Sequence, residues 1–344
     1  MKYFAGIDIS MEQSCLCVLN AGGEVVEEAT VATTPEAIAG TLSRYGQGAV
    51  KVGFEAGALS PWLYHELAAG GWDVACLEAR QVHQILKMQR NKSDRGDAFG
   101  LAQLVRSGWY RTVHVKTYDS HALRALLKAR AELVHTRQDL ENTVRGLLKP
   151  FGLRLPKGGR SDFADRVRTL CVSRADLAAA VDALLRARAT VRAELERLDK
   201  RLVVMAREND ACPRLMTIPG VGPITALAAI SAIDNAGRFA SARTVGAYFG
   251  LTPRRHQSGE VDYQGRISKR GDRMVRTLLY EAANVLLTRV TRFSTLKAWG
   301  LKLAKRIGMK KARVAVARKL AVIIAAVLKD GTEFWWKTEE VAAK

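Results

Sequence analysis

Cysteine and proline are scarce in this chain, with five Cys and eight Pro in 344 residues. The five thiols (Cys15, Cys17, Cys76, Cys171, Cys212) are odd in number and form no Cys-x-x-Cys pair. That pattern excludes a disulfide framework and a cysteine-based zinc site. No apolar signal-peptide core follows Lys2. The longest apolar stretch near the C-terminus, residues 320–328, falls far short of the ~20 residues a membrane span needs. A cytoplasmic location without a membrane partner is expected. Acidic residues are also in short supply: 34 Asp+Glu stand against 54 Lys+Arg, a formal charge of +20. Such an excess on a chain that is 48% hydrophobic and 26% charged describes a globular protein that meets a polyanion, nucleic acid above all.

The excess is unevenly placed. Residues 1–110 hold 9 Lys+Arg and 12 Asp+Glu, net −3, whereas residues 111–344 hold 45 and 22, net +23. An acidic-leaning N-terminal domain is thus joined to a nucleic-acid-binding remainder. The N-terminal part reads as α/β. Residues 4–9, 14–20 and 24–31 are rich in β-formers, with Ala21-Gly22-Gly23 marking a hairpin. Thr34-Pro35-Glu36 opens a helix to about residue 45, and strands are predicted over 50–55 and 72–77 with a helix over 61–69 between them. Three consecutive strands followed by alternating elements predict a mixed sheet.

The middle of the chain is helical. Leu126, Leu133, Leu140 and Leu147 recur every seven residues until Pro150-Phe151-Gly152 ends the helix. A second helix is expected to start at Ser173 as N-cap. Its apolar positions Leu177, Val181, Leu184, Val191, Leu195, Leu198, Leu202 and Met205 step by four and three, interrupted at Arg188. At ~1.5 Å per residue it would span roughly 54 Å. The spacing predicts a coiled-coil arm that also joins protomers. Two helices packed only on each other is the alternative.

Four carboxylates are the chemical candidates of the first domain. Asp8 interrupts an apolar first strand, where an ionised group needs hydrogen bonds or a cation, and Glu55 ends the 50–55 strand. Asp94 and Asp97, in Lys92-Ser93-Asp94-Arg95-Gly96-Asp97, share one face of a helix reaching about residue 105. Oxygen ligands of this kind suit magnesium, and phosphoryl transfer commonly uses one or two such ions. Taken singly, Asp94 is equally an N-cap and Glu55 the start of a loop. A sugar-kinase or actin-like ATPase would need a second Asp-Gly phosphate loop and a Gly-rich adenosine loop, and neither occurs.

The C-terminal half is expected to be helical with Gly/Pro-containing loops. Ile218-Pro219-Gly220-Val221-Gly222-Pro223 has the form of a helix-hairpin-helix, in which the N–H groups at Gly220 and Gly222 and the following helix N-terminus meet a DNA phosphate. A tight turn between two core helices is the alternative. Ser258 precedes Gly259 in a polar loop flanked by Arg254, Arg255, Arg266, Lys269 and Arg270, with Arg273 beyond. Guanidinium groups hold a phosphate and neutralise it, which a weak serine nucleophile requires. A Ser-Gly pair in a loop is otherwise an ordinary turn. Lys302, Lys305, Arg306, Lys310, Lys311 and Arg313 would form a phosphate-tracking stripe or a solvated face.

Together these residues resemble the DEDD transposases of the insertion-sequence-110 family, which includes Piv-type pilin-gene invertases. The resemblance runs from about residue 3 to 331. It implies an RuvC-like, RNase H-type domain (1–117), a coiled-coil region (118–208) and a helical transposase domain (209–344). It implies that Asp8, Glu55, Asp94 and Asp97 bind Mg2+ and that Ser258 forms a covalent phosphoserine link to DNA. Donor and target DNA, a noncoding bridge RNA and a homo-oligomer, dimer to tetramer, with halves of a composite site from different protomers, are the partners it implies. Two other readings compete. A junction-resolving nuclease would activate water and leave Ser258 structural, and a non-enzymatic architectural protein would show only salt-sensitive binding.

Overall fold

The computed structural model describes residues 2–88, 91–155 and 163–336. The ranges expected for the second and third domains include residues 156–162 and 337–344, which lie outside the described residues. The chain divides into two compact units, Met1–Lys116 and Thr117–Lys344.

The first unit is built on a five-stranded mixed sheet. Strands β1 (Tyr3–Asp8), β2 (Gln13–Leu19) and β3 (Val25–Ala32) form an antiparallel meander. Helix α1 (Pro35–Leu42) follows, with Thr34 Oγ1 accepting from the Ala37 N–H at 3.2 Å as N-cap and Pro35 inside the first turn. A 3-10 turn over Ser43–Tyr45 finishes the segment. Strand β4 (Val50–Glu55), helix α2 (Ser60–Ala69) and strand β5 (Asp73–Leu77) come next, then helices α3 (Ala79–Leu86) and α4 (Asp94–Ser107). The sheet order is β3-β2-β1-β4-β5, with β4 parallel to β1 and β5 parallel to β4. The predicted strands are all present, with ends shifted by a residue or so.

One close approach fixes where α4 lies. Gly6 and Gly53 are partners on neighbouring strands. A Cβ on Gly6 would sit 2.2 Å from the Ala98 carbonyl oxygen, and one on Gly53 would sit 2.2 Å from Val105 Cγ2. Only glycine lets the helix press onto the strands here. Ala98 and Ala102 are fully buried beneath that contact. The opposite face of the sheet packs on α1 and α2 through Ile38, Leu42, Leu63 and Leu67.

The second unit is mostly helical. Helix α5 (Tyr118–Leu148) is capped by Thr117, and α6 (Phe163–Cys171) leads to α7 (Ala175–Glu208). Ser173 does not cap α7; the helix opens two residues later, after Arg174, without a side-chain cap. Helices α5 and α7 lie antiparallel: Arg130 pairs with Asp199, and Glu141, farther along α5, pairs with Arg188, earlier on α7. The recurring leucines of α5 are not the buried seam. Leu123, Leu127, Val144 and Leu148 are buried, whereas Leu147 is 38% exposed. The seam lies one residue beyond the leucine series, and Arg130, Arg137 and Glu141 occupy its middle turns. Those charges hide it from a reading that follows apolar residues alone. On α7 the buried column Val181, Arg188, Leu195, Leu202 runs at seven-residue steps, so Arg188 holds a seam position in place of an apolar side chain.

Helices α8 (Ala211–Met216), α9 (Pro223–Ile233) and α10 (Val245–Tyr248) precede a two-stranded antiparallel ribbon, β6 (Pro253–Ser258) and β7 (Val261–Ile267). Helices α11 (Arg273–Thr288), α12 (Thr295–Ile307) and α13 (Met309–Asp330) complete the unit. Its main core joins Leu123 and Leu127 of α5 to α9, α11 and α13. The ribbon corrects the expected polar loop around Ser258. Every residue from Pro253 to Arg266 is exposed, so neither face carries the apolar alternation that announces a strand. Among the described residues no helix is long and apolar enough to cross a membrane.

Candidate functional site

The C-terminal ends of β1 and β4 open onto a cleft of about 260 Å³, lined by Asp8, Ile9, Ser10, Glu55, Ala56 and Ser60 among others. Ligands of open α/β sheets bind at this kind of position, outside the carboxyl ends of parallel strands. Asp8 is the last residue of β1 and Glu55 the last of β4. Because Ile7 pairs with Phe54, the two carboxylates leave the sheet at the same edge.

Helix α4 supplies the other two. Ser93 is its N-cap, accepting from the Gly96 N–H at 3.1 Å, so Asp94 is not the cap but the first helical residue. Asp97 follows one turn on and is buried. The glycine contact at Gly6 aims the first turn of α4 at the strand ends. Both acids also sit where the helix dipole favours negative charge.

Asp8 feels the charges of both helix acids, and Glu55 those of Asp8 and Asp97. Burial raises the proton affinity of Asp8 above its ordinary 3.8, and the charges of Asp97 and then Asp94 raise it further, against a lowering by Lys92. Glu55 is raised above 4.5 by burial and by Asp8 and Asp97, while His83 and Lys92 lower it. A carboxylate cluster in which Asp8 and Glu55 are part-buried, Asp97 is buried and Asp94 is exposed has the hard-oxygen chemistry of a divalent-cation site. Among the described residues no three such side chains are closed to metal-coordinating geometry. The donor chemistry fits a divalent cation. His83 and Lys92 were not among the sequence candidates. Lys92 could have been found by its place two residues before Asp94; nothing in the α3 sequence singles out His83.

In the second unit, Ser258 ends β6 and pairs with Val261 across a two-residue turn in which Gly259 has φ +55°. Two-residue alternation puts Ser258 on one ribbon face with His256 and Tyr263, whose rings stack at 5.0 Å. Arg255 lies on the other face. Its Nε and Nη2 donate to the two carboxylate oxygens of Asp262 at 2.9 and 2.6 Å, which lowers the Asp262 pKa. Arg254 donates from Nη2 to the Ser268 carbonyl at 3.4 Å. Arg266, Lys269, Arg270 and Arg273 are exposed around the base of the ribbon.

The Gly-Val-Gly turn joins α8 to α9, and its glycines differ. Gly220 has φ +87°, and a Cβ there would sit 2.3 Å from the Ala282 carbonyl oxygen of α11. Gly222 precedes α9 with nothing within 4 Å of a Cβ position.

Comparison with known proteins decides the family. Residues 5–152 match the model of the IS110-type DEDD transposase, and residues 212–298 match that described as Transposase IS116/IS110/IS902 family. The chain is 32% identical over 328 residues to the transposase for insertion sequence element IS1111A of Coxiella burnetii, covering 94% of this chain and 88% of that one. It belongs to the IS110 family of DEDD transposases. The transposase is also 31% identical to a probable family 20 transposase of Pseudomonas aeruginosa, over 82% of this chain and 84% of that one. A shorter match, 30% identical, covers 37% of the chain and 39% of the pilin gene-inverting protein of Moraxella bovis. Membership makes the protein a DNA-cleaving and rejoining enzyme whose DEDD domain uses a divalent metal. The mixed sheet of the first unit agrees with an RuvC-like domain.

Proposed function

We propose that this transposase is a bridge-RNA-guided serine recombinase that excises and inserts its own insertion sequence. The observation that carries the reading is the placement of Ser258 at the turn of a ribbon exposed from Pro253 to Arg266, with cations at the ribbon's base. In the proposed step the Ser258 oxygen loses its proton and bonds to phosphorus. The bond from phosphorus to a deoxyribose oxygen breaks, and that oxygen takes up a proton. The phosphoserine bond conserves the phosphodiester energy for rejoining. Arg254, Arg266, Lys269, Arg270 and Arg273 neutralise the phosphates of the bound strand, and Arg255, through Asp262, stiffens the ribbon.

Asp8, Glu55, Asp94 and Asp97 would hold Mg2+, which when bound stabilises charge on the phosphate oxygens. Lys92 and His83 moderate the repulsion among these acids. The Gly222 turn contacts DNA backbone through the free N-terminus of α9, and the net charge of +23 beyond residue 110 supports partners of donor DNA, target DNA and a bridge RNA. The coiled-coil region 118–208 joins protomers into a dimer or tetramer, in the bacterial cytoplasm at the nucleoid.

The test mixes purified protein with donor and target DNA, RNA transcribed from the noncoding flank of its element, and Mg2+. After denaturation, labelled DNA should travel with the wild-type protein and not with Ser258→Ala. Cleaved DNA without an adduct in either protein would refute the serine mechanism and favour a water-activating nuclease.

A further inference from the structure

Between Ala282 and Lys329 the chain carries twelve Lys and Arg and no Asp or Glu. Helix α12 and the first half of α13 hold most of this charge, and Trp299 stands in its midst with 39% of its surface exposed. The indole is a wall shared by two hollows. One, of about 490 Å³, is bordered by Lys302, Lys305 and Arg306. The other, of about 480 Å³, is bordered by Arg243, Lys311, Arg318 and Lys319. Each volume is that of a small-ligand site. Among the described residues none of these seven cations has an ion-pair partner, and no acidic side chain borders either hollow. Lys319 Nζ lies 5.9 Å above the Trp299 ring, at cation–π range.

An aromatic face between two clusters of unpaired cations is the arrangement that grips single-stranded nucleic acid: a base stacks on the ring and the flanking phosphates meet the cations. The second hollow is also lined by Pro253 and Ile267, the paired residues at the foot of the ribbon that ends in Ser258. We propose that Trp299 and the hollows on either side form a docking groove for an unpaired stretch of the DNA strand presented to Ser258. A strand entering by Lys302 and Lys305 stacks one base on Trp299 and passes Arg243 and Arg318 to the ribbon's foot. Specifying the strand as DNA rests on the serine-recombinase reading; the groove's chemistry does not.

The test uses the full chain without magnesium and single-stranded DNA carrying 5-iododeoxyuridine, irradiated and mapped by mass spectrometry. The same sequence as duplex DNA and as RNA with 5-iodouridine forms the other arms. The crosslink should fall on Trp299 with single-stranded DNA. Trp299→Ala should weaken single-strand binding about 5- to 150-fold, the effect of one lost stacked base, while Trp299→Phe retains most of it. Three results would each overturn the proposal: no crosslink at Trp299, equal weakening of duplex binding, or a stronger crosslink to RNA. Repeating the assay in Ser258→Ala keeps the readings apart, because strand docking there is unaffected by whether a covalent adduct ever forms.

Discussion

Burial first, and then the charge of Asp8 at the end of the neighbouring parallel strand, raise the proton affinity of Glu55. Both groups have folded-state pKa values above their ordinary ones, so each favours folding only when protonated, and that contribution is lost as pH rises through the raised value. At neutral pH the cluster therefore opposes folding. Asp8→Asn or Glu55→Gln should raise the Tm by about 2–4 °C at pH 7, the scale of a relieved functional-site strain. The gain over wild type should shrink as pH falls towards the ordinary carboxylate range. Mg2+ should stabilise wild type and do little for the variants. Scanning calorimetry with and without Mg2+ checks all three, and variants less stable than wild type at pH 7 would overturn the argument.

The seam of α5 and α7 gives a second expectation. Arg188 Nη2 and Glu141 Oε1 lie 2.9 Å apart with side-chain exposures of 6% and 13%, and Arg188 also stacks on Phe163. Glu141 also faces Arg137 and Arg145, each at 3.9 Å, so losing the carboxylate costs a small cluster its acidic member, whereas losing Arg188 removes its nearest and most buried cation. Glu141→Ala, which strands the cations around it, should cost about 3 kcal/mol, and Arg188→Ala should cost less because Arg137 and Arg145 still face Glu141. Arg188→Leu, which refills the seam position, should cost less than Arg188→Ala. Denaturant unfolding of the three variants measures the difference.

How much of this was legible in the sequence follows from where apolar residues carry the signal. The first unit could be read almost strand by strand, because its core strands are apolar and bounded by polar turns, and Thr34-Pro35 announces its helix. The carboxylates were found as chemical anomalies: Asp8 and Glu55 are the charged ends of apolar strands. Their union with Asp94 and Asp97 depended on α4 folding back over Gly6 and Gly53, a long-range contact that no local pattern encodes. The buried seam of α5 was not legible, because Arg130, Arg137 and Glu141 fill its middle turns and the leucines that do recur lie one residue before it. The ribbon was missed because a strand pair exposed on both faces has no apolar period. Trp299 gave no signal either, since a lone aromatic among lysines looks like any amphipathic helix until α13 and the ribbon foot are placed beside it.

The two glycines of the Gly-Val-Gly turn should separate stability from binding. Gly220→Ala puts a methyl group into the Ala282 carbonyl at a backbone angle that disfavours side chains, and should cost about 2–4 kcal/mol. Gly222→Ala meets nothing and should leave unfolding unchanged. If the turn contacts DNA, Gly222→Ala should weaken duplex binding at constant stability. Equal loss of stability in both variants would contradict the geometry.

The ribbon offers the sharpest test of what its arginines do. Arg255 is held by both oxygens of Asp262, so in the free protein it is a brace rather than an open phosphate contact. A brace needs both members. Arg255→Ala and Asp262→Ala should therefore impair Ser258 adduct formation alike, with thermal stability little changed because the pair is exposed. A phosphate contact predicts the opposite for Asp262→Ala, since freeing the guanidinium and removing a negative charge would tighten DNA binding and steepen its salt dependence. Binding isotherms at several salt concentrations, run beside the adduct assay, distinguish the two. Equal impairment with unchanged affinity assigns Arg255 to holding the ribbon, and tighter binding by Asp262→Ala assigns it to the DNA.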